Sequence, residues 1–315
     1  MCSEGWERNR DVQMSCFQVR TDLALEARES IGRAEEELPG IRVEEYDKEE
    51  IQVHVTKVVI SSKNGAKAMQ KPMGNYITLE APAMQEEDES YHREISKELA
   101  KQLKDIIPDA DTEQSVLVVG LGNRDVTADA LGPGVVDNLF VTRHIVKEYG
   151  KAAYCKERMN LVSGIVPGVM AATGMEAAEI VRGVVEQTLP DIVIVVDALA
   201  ARSTRRLNRT IQITDTGIQP GSGVGNHRSS LTKESLGVPV IAIGIPTVVD
   251  AATIIGDAIE RLSQEGSAGE GALDADRFRT MSELNNMYVT GKNIDEVIKR
   301  LSFTVSEALN IALEL

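Results

Sequence analysis

Asp129 and Asp197 are the residues of this chain best placed to do chemistry. The first follows Ser115-Val-Leu-Val-Val-Gly120, an apolar run that breaks at Gly120-Leu121-Gly122-Asn123 and delivers Asp129 to the start of a helix. The second follows Ile192-Val-Ile-Val-Val196 and leads into Ala198-Leu-Ala-Ala-Arg202. Both read as strand ends, and in an open α/β sheet ligands gather outside the carboxyl ends of the strands. Two carboxylates sharing a small site resist ionising together, so one stays protonated to act as an acid while the other acts as a base on water. Their protons then titrate as a coupled pair. An Asp at a strand-to-helix junction is also a favoured N-cap, so position alone leaves both roles open. Asn123, Asp125, Arg202 and His227 are the polar side chains that would support such a pair.

The elements that must position these groups follow from periodicity. Strands are expected at 115–120, 160–166, 191–197, 209–214 and 238–244, alternating with helices after Asp129, over about 168–187 and over Val248–Leu262. That alternation implies βαβ units. The fold class expected is α/β, a three-layer αβα with a mostly parallel, doubly wound sheet. Residues 50–60 and 76–80 alternate or run apolar and form a β extension from the N-terminal third, spanning residues 50–80. Ile95, Leu99, Leu103 and Ile106 recur at helical spacing before Pro108. Leu23 to Glu37 is charged and helix-prone until Pro39-Gly40 stops it, Ile294 to Leu315 closes the chain as an amphipathic helix, and Gln264–Ala275 reads as a flexible glycine-rich insertion. The expected organisation is a polar arm over residues 1–22 and one α/β domain over 23–315.

Composition narrows the function classes. A formal charge of -15 disfavours a nucleic-acid or anionic-membrane surface and suits a partly basic polypeptide. Three scattered cysteines provide neither a disulfide framework nor zinc spacing, which suggests a reducing, cytoplasmic setting. No basic start with an apolar run marks a signal peptide, and no stretch of about twenty apolar residues marks a membrane span. Gly120 and Gly122 begin a dinucleotide fingerprint, but Asp125 replaces its third glycine and would repel a pyrophosphate. Gly291-Lys292 is not a Walker loop, Gly221-Ser-Gly-Val-Gly225 has the wrong register for a serine elbow, and no H-E-x-x-H is present. No cofactor and no metal is expected.

Phe17-Gln-Val-Arg-Thr-Asp-Leu-Ala-Leu-Glu-Ala-Arg28, Gly120-Leu-Gly-Asn123 with Val126-Thr-Ala-Asp-Ala-Leu-Gly-Pro133, Asp197-Ala-Leu-Ala-Ala-Arg-Ser203, Gly225-Asn-His-Arg228 and Val238–Thr247 together resemble the germination proteases of spore-forming bacteria. The resemblance covers nearly the whole chain. It implies an aspartic-type endopeptidase that degrades small acid-soluble spore proteins in the cytoplasm of the germinating spore, the spore core, and thereby uncovers DNA. It also implies a homotetramer made as a zymogen, with Asp129 and Asp197 as the catalytic pair and removal of a prosegment, residues 1–22, at the Asp22–Leu23 bond. A terminal polar arm is accessible enough to be cut. Two departures stand out. Ala128 occupies a position usually held by Pro, which loosens the turn by about 0.4 to 1 kcal/mol through the unfolded chain, and Asp125 adds a third carboxylate. Gly-x-Gly-Asn followed by Asp is also distantly similar to hydrogenase maturation peptidases, where acidic residues and a His surround nickel. His227 would complete such a set. A third reading is a non-catalytic acidic module that binds partner proteins through its glycine-rich loops.

Overall fold

Among the described residues, nine strands hydrogen-bond into one mixed sheet. The computed structural model describes residues 22–30, 39–155, 157–220, 229–255, 258, 284 and 287–315. In chain order the strands are β1 (Ile41–Lys48), β2 (Val53–Ile60), β3 (Gly74–Glu80), β4 (Ser115–Gly120), β5 (Leu161–Ile165), β6 (Ile192–Ala201), β7 (Thr210–Thr214), β8 (Val240–Asp250) and β9 (Tyr288–Val289). The helices used below are α1 (Ala24–Ser30), α2 (Lys63–Met69), α3 (Glu89–Ile106), α4 (Leu131–Asn138), α5 (Arg143–Tyr149), α6 (Met170–Thr173), α7 (Ala177–Thr188), α8 (Lys233–Leu236) and α9 (Ile294–Ala312).

The strand order is β1-β2-β3-β7-β8-β6-β4-β5, with β9 added to β8. Strands β8, β6, β4 and β5 run parallel to one another. Strands β1, β2, β3 and β7 are joined by antiparallel pairings, and β7 meets β8 antiparallel as well. The expected α/β architecture is present, and the β extension is continuous with the main sheet through β3 and β7. Residues 209–214 do not extend the parallel series: β7 is antiparallel and forms the joint between the two halves. Side-chain alternation carries no information about strand direction, which is why the sequence pattern does not reveal this.

The parallel strands are buried on both faces, as their apolar runs require. On one face Val116, Val118, Ile194, Val196, Ile241 and Ile243 pack against Ile95, Leu99 and Leu103 of α3, Leu131 and Val135 of α4, and Leu301 and Val305 of α9. On the other, Leu117, Val119, Val193 and Val195 pack against Ala177, Val181 and Val185 of α7. Each fully buried Leu, Ile or Val contributes about 1.5–3 kcal/mol. Helix α3 starts where Asp88 accepts hydrogen bonds from the Ser90 and Tyr91 N–H groups, satisfying donors that would otherwise be orphaned.

Local readings shift at several boundaries. Strand β1 was not expected, because Glu44-Glu45 interrupts its alternation; it is an edge strand with largely solvated side chains. Residues 168–187 form α6 and α7 as separate helices, broken at Gly174 with φ +73°. Strand β8 runs on through Val248 and Val249, where a helix was expected. Of the expected helix over 23–37, α1 is described and 31–38 lie outside the described residues, as does the insertion over 264–275.

Candidate active site

One face of the antiparallel half of the sheet carries a buried polar row beside the apolar Val58, Ile60 and Tyr76. Thr56 pairs with Thr78, Thr78 with Gln212, Gln212 with Gly244, and Gly244 with Asp197. Directly paired residues project to the same face of a sheet, so these five positions form a row across five strands. Their side chains are buried: Thr56 and Thr78 at 1%, Gln212 and Asp197 at 7% exposure. Burying polar groups costs free energy unless they are hydrogen-bonded. A row of them therefore depends on hydrogen-bond partners supplied by the segments that cover it.

Asp197 does not end its strand. Strand β6 continues to Ala201, paired with β8 through a register shift between Leu199 and Ala200. Strand β4 stops earlier, its last pair being Gly120 with Val196. Beyond Val196 the β4 side of β6 is thus free for other contacts. The Asp197 carboxylate accepts a hydrogen bond from the Ala198 N–H at 2.9 Å.

Asp129 ends a short 3-10 turn, Thr127–Asp129. It is not the cap of α4, a place taken by Ala130. The turn is tied to the end of β4 by the Asn123 N–H, which donates to the Asp129 carbonyl at 2.9 Å. It is tied to β8 by the Thr247 hydroxyl, which donates to the Ala128 carbonyl at 2.6 Å. Because β6 lies between β4 and β8, the turn bridges over the strand that carries Asp197. Two glycines permit this approach. Gly122 has φ +120°, and a Cβ there would lie 1.9 Å from the Asp129 carbonyl oxygen. At Gly132 a Cβ would lie 2.5 Å from the Val196 carbonyl oxygen.

Asp129 and Asp197 line one cavity of about 1380 Å³, together with Asp22, Glu26, Lys71, Arg202 and Gln212. Asp22 occupies the edge of β6 that β4 vacates: its N–H donates to the Ala200 carbonyl at 3.2 Å, and its carboxylate accepts from the Ala200 N–H at 3.0 Å. Leu23 is fully buried against Leu199, Ala201, Leu207 and Val249. The expectation of a freely accessible junction is corrected here: residues 22 and 23 are seated in the protein.

Helix α1 is held by Glu26, whose buried carboxylate accepts from the N–H groups of Arg202 at 2.8 Å and Ser203 at 3.0 Å. Arg206 reaches Glu26 at 3.3 Å, Glu29 at 2.6 Å and Glu80 at 3.1 Å. Burial alone would lower the Arg206 pKa, but the hydrogen bond and charge of Glu29, with Glu80 and Glu26, hold it above the ordinary value. Burial pushes the Lys71 ammonium below the ordinary lysine value, against the pull of Asp22 and Glu26.

Of the other anticipated residues, Asn123 braces the turn, its side chain also accepting from the Asp125 N–H at 3.0 Å. Asp125 is solvent-exposed and does not line the cavity, whereas Arg202 does. His227 lies outside the described residues. Among the described residues, no three His, Cys, Asp or Glu side chains converge as a metal would require. His54 pairs with Asp47 at 2.8 Å, and buried His92 lies 2.8 Å from the Thr304 hydroxyl. Lys71, Gln212, Glu26 and Thr247 were missed. Glu26 stood within a motif, but Lys71 lies in a turn-rich stretch with no periodic signal.

The sequence model of the family described as germination protease matches residues 19–269. The chain is 46% identical over 313 residues to the germination protease of Caldanaerobacter subterraneus, covering 94% of each chain. It is 44% identical to that of Clostridium tetani, over 94% of this chain and 95% of the relative. The germination protease of Bacillus cereus is 46% identical over 252 residues, 79% of this chain and 68% of the relative. A solved nickel-iron hydrogenase maturation protease from Thermococcus kodakarensis aligns with a TM-score of 0.33 and 18% identity, over 66% of this chain and 99% of its own. Among the described residues, no helix is long and apolar enough to cross a membrane. With a family match across most of its length and relatives of this identity, the chain belongs to the germination protease family and is a peptidase.

Proposed function

We propose that this peptidase is an endopeptidase that begins the degradation of small acid-soluble spore proteins at germination, working in the spore cytoplasm as a homotetramer. It is made as a zymogen whose prosegment, residues 1–22, is removed at Asp22–Leu23, leaving residues 23–315 as the mature enzyme. Asp129 and Asp197 act as a pair: one takes a proton from the attacking water, and the other gives a proton to the leaving nitrogen. The observation that carries this reading is that Asp129, Asp197 and Asp22 open into one cavity. A catalytic pair and the bond it is to cut must share such a space, and groups held in place there before the reaction need no reorganisation as charge develops.

The test is mass spectrometry of the full-length chain after incubation, for the wild type and for Asp129→Asn and Asp197→Asn. The wild type is expected to acquire a new N-terminus at Leu23, and both variants are expected to fold, assemble and stay uncut. Cleavage by either variant at the wild-type rate would refute the assignment. The assembly is checked by light scattering, where a monomer would remove the tetramer from the proposal.

A further inference from the structure

The Asp22–Leu23 peptide is gripped by two side chains, Lys71 from the turn between α2 and β3 and Gln212 from β7. The Lys71 ammonium donates to the Asp22 carbonyl oxygen at 2.8 Å, and the Gln212 Nε2 donates to the same oxygen at 3.2 Å. The other end of the Gln212 amide, Oε1, accepts from the Ala24 N–H at 2.6 Å. One amide therefore bonds the backbone on both sides of this peptide link. Gln212 sits in the polar row one strand from Gly244, which pairs with Asp197, so the grip and the carboxylate face the same side of the sheet. The empty side-chain position at Gly244 is filled by Leu199, which is also the floor beneath Leu23.

We infer that Lys71 and Gln212 are catalytic residues: they bind the carbonyl oxygen of the bond to be cut and take up the charge it acquires. The inference rests on the proposed cleavage at Asp22–Leu23. A water oxygen adds to the Asp22 carbonyl carbon, and the water proton passes to the ionised member of the aspartate pair. The C=O electron pair moves onto the Asp22 oxygen, where the two N–H donors already stand. When that pair returns, the C–N bond breaks and the Leu23 nitrogen takes the proton of the protonated aspartate. The products are the Asp22 carboxyl group and the Leu23 amine. Donors set in place before the reaction are worth most, because they need no reorganisation as charge develops. Gln212, holding Ala24 as well, sets which peptide bond lies under Lys71. A substrate protein is read in the same way, through its backbone at these positions.

The experiment measures the rate at which the Leu23 N-terminus forms in the full-length chain, for the wild type, Lys71→Met, Lys71→Arg, Gln212→Glu and Asp129→Asn. Lys71→Met is expected to slow cleavage by roughly 10²–10³-fold, the usual effect of removing one such donor. Lys71→Arg is expected to recover at least about tenfold of that loss, since it restores a cationic donor. Gln212→Glu keeps the acceptor for Ala24 and loses the donor, and is expected to slow cleavage by at least about tenfold. Thermal melting of each variant reports folding separately. A folded Lys71→Met chain that cuts at the wild-type rate while Asp129→Asn does not would overturn this inference alone. A loss that Lys71→Arg leaves unrelieved assigns Lys71 a structural role and also overturns it. Wild-type chain that never cuts at Asp22, or an Asp129→Asn chain that cuts normally, would overturn the proposed function and this inference with it.

Discussion

Replacing Gly122 by alanine puts a methyl carbon 1.9 Å from the Asp129 carbonyl oxygen, where real side chains keep at least 3.0 Å. The turn carrying Asp129 must withdraw by about 1.1 Å, the difference between those two distances. It cannot do so freely. The Asn123 N–H holds the same carbonyl at 2.9 Å from the β4 side, and Thr247 holds Ala128 at 2.6 Å from the β8 side. The backbone at Gly122 adds a second obstacle, because its φ of +120° is one that L side chains rarely adopt. Strain of this kind costs about 1–3 kcal/mol. Misplacing a reacting group by about 1 Å costs on the order of 10²-fold in rate. The expected outcome for Gly122→Ala is a fall of roughly 10²-fold in formation of the Leu23 N-terminus, against a melting temperature lowered by only a few degrees. Mass spectrometry and a thermal melt on the same preparation provide both readings. Cleavage within about twofold of wild type would show that the Asp129 turn does not need its present position, and the reasoning from Gly122 to the catalytic pair would fail.

Other consequences are testable in the same preparations. Thr247→Val removes the donor to Ala128 and is expected to slow cleavage while costing about 1 kcal/mol of stability, read from the urea midpoint. Arg206→Met removes from the buried Glu26 carboxylate the cation 3.3 Å away and is expected to cost about 3–5 kcal/mol, measured by urea unfolding; a loss below about 1 kcal/mol would mean that Arg206 behaves as a surface charge. Burial holds the pKa of His92 below its ordinary 6.5, so the fold favours neutral imidazole. That stability is fully present above pH 6.5 and is lost as pH falls through the lower, folded-state value. His92→Gln is expected to flatten the stability profile below pH 6.5, which denaturation at a series of pH values checks.

Much of the site was legible because strand-to-turn chemistry is local. The apolar run Val116–Val119, the break at Gly120-Leu121-Gly122-Asn123 and the position of Asp129 all follow from residues close in the chain. Asp197 was found on the same logic, yet its strand does not end there. Ala198-Leu-Ala-Ala201 has high helix propensity, and the pairing of β6 with β8, with Asp22 bonded to Ala200 on the other edge, overrides it. Strand β1 stayed hidden behind Glu44-Glu45, and the antiparallel sense of β7 is a tertiary fact. Lys71 was out of reach for a different reason. Its partner, the Asp22 carbonyl, is 49 residues away in sequence and belongs to the backbone, which leaves no trace in residue type. Nothing in the alternation of their strands marks Thr56, Thr78 and Gln212 as buried, yet all three are, and the Ala24 N–H of α1 bonds the Gln212 side chain.

The line of buried polar positions from Thr56 to Asp197, broken where Leu199 fills the space at Gly244, has a bearing on how this enzyme can be dissected. A chain trimmed to β4, β5, β6 and β8 would retain both acids and lose Lys71 and Gln212, which hold the Asp22 carbonyl. Grafting the acids onto another parallel scaffold would meet the same deficit. Strands β2, β3 and β7, easily taken for decoration on a parallel core, carry Thr56, Thr78 and Gln212 of that line.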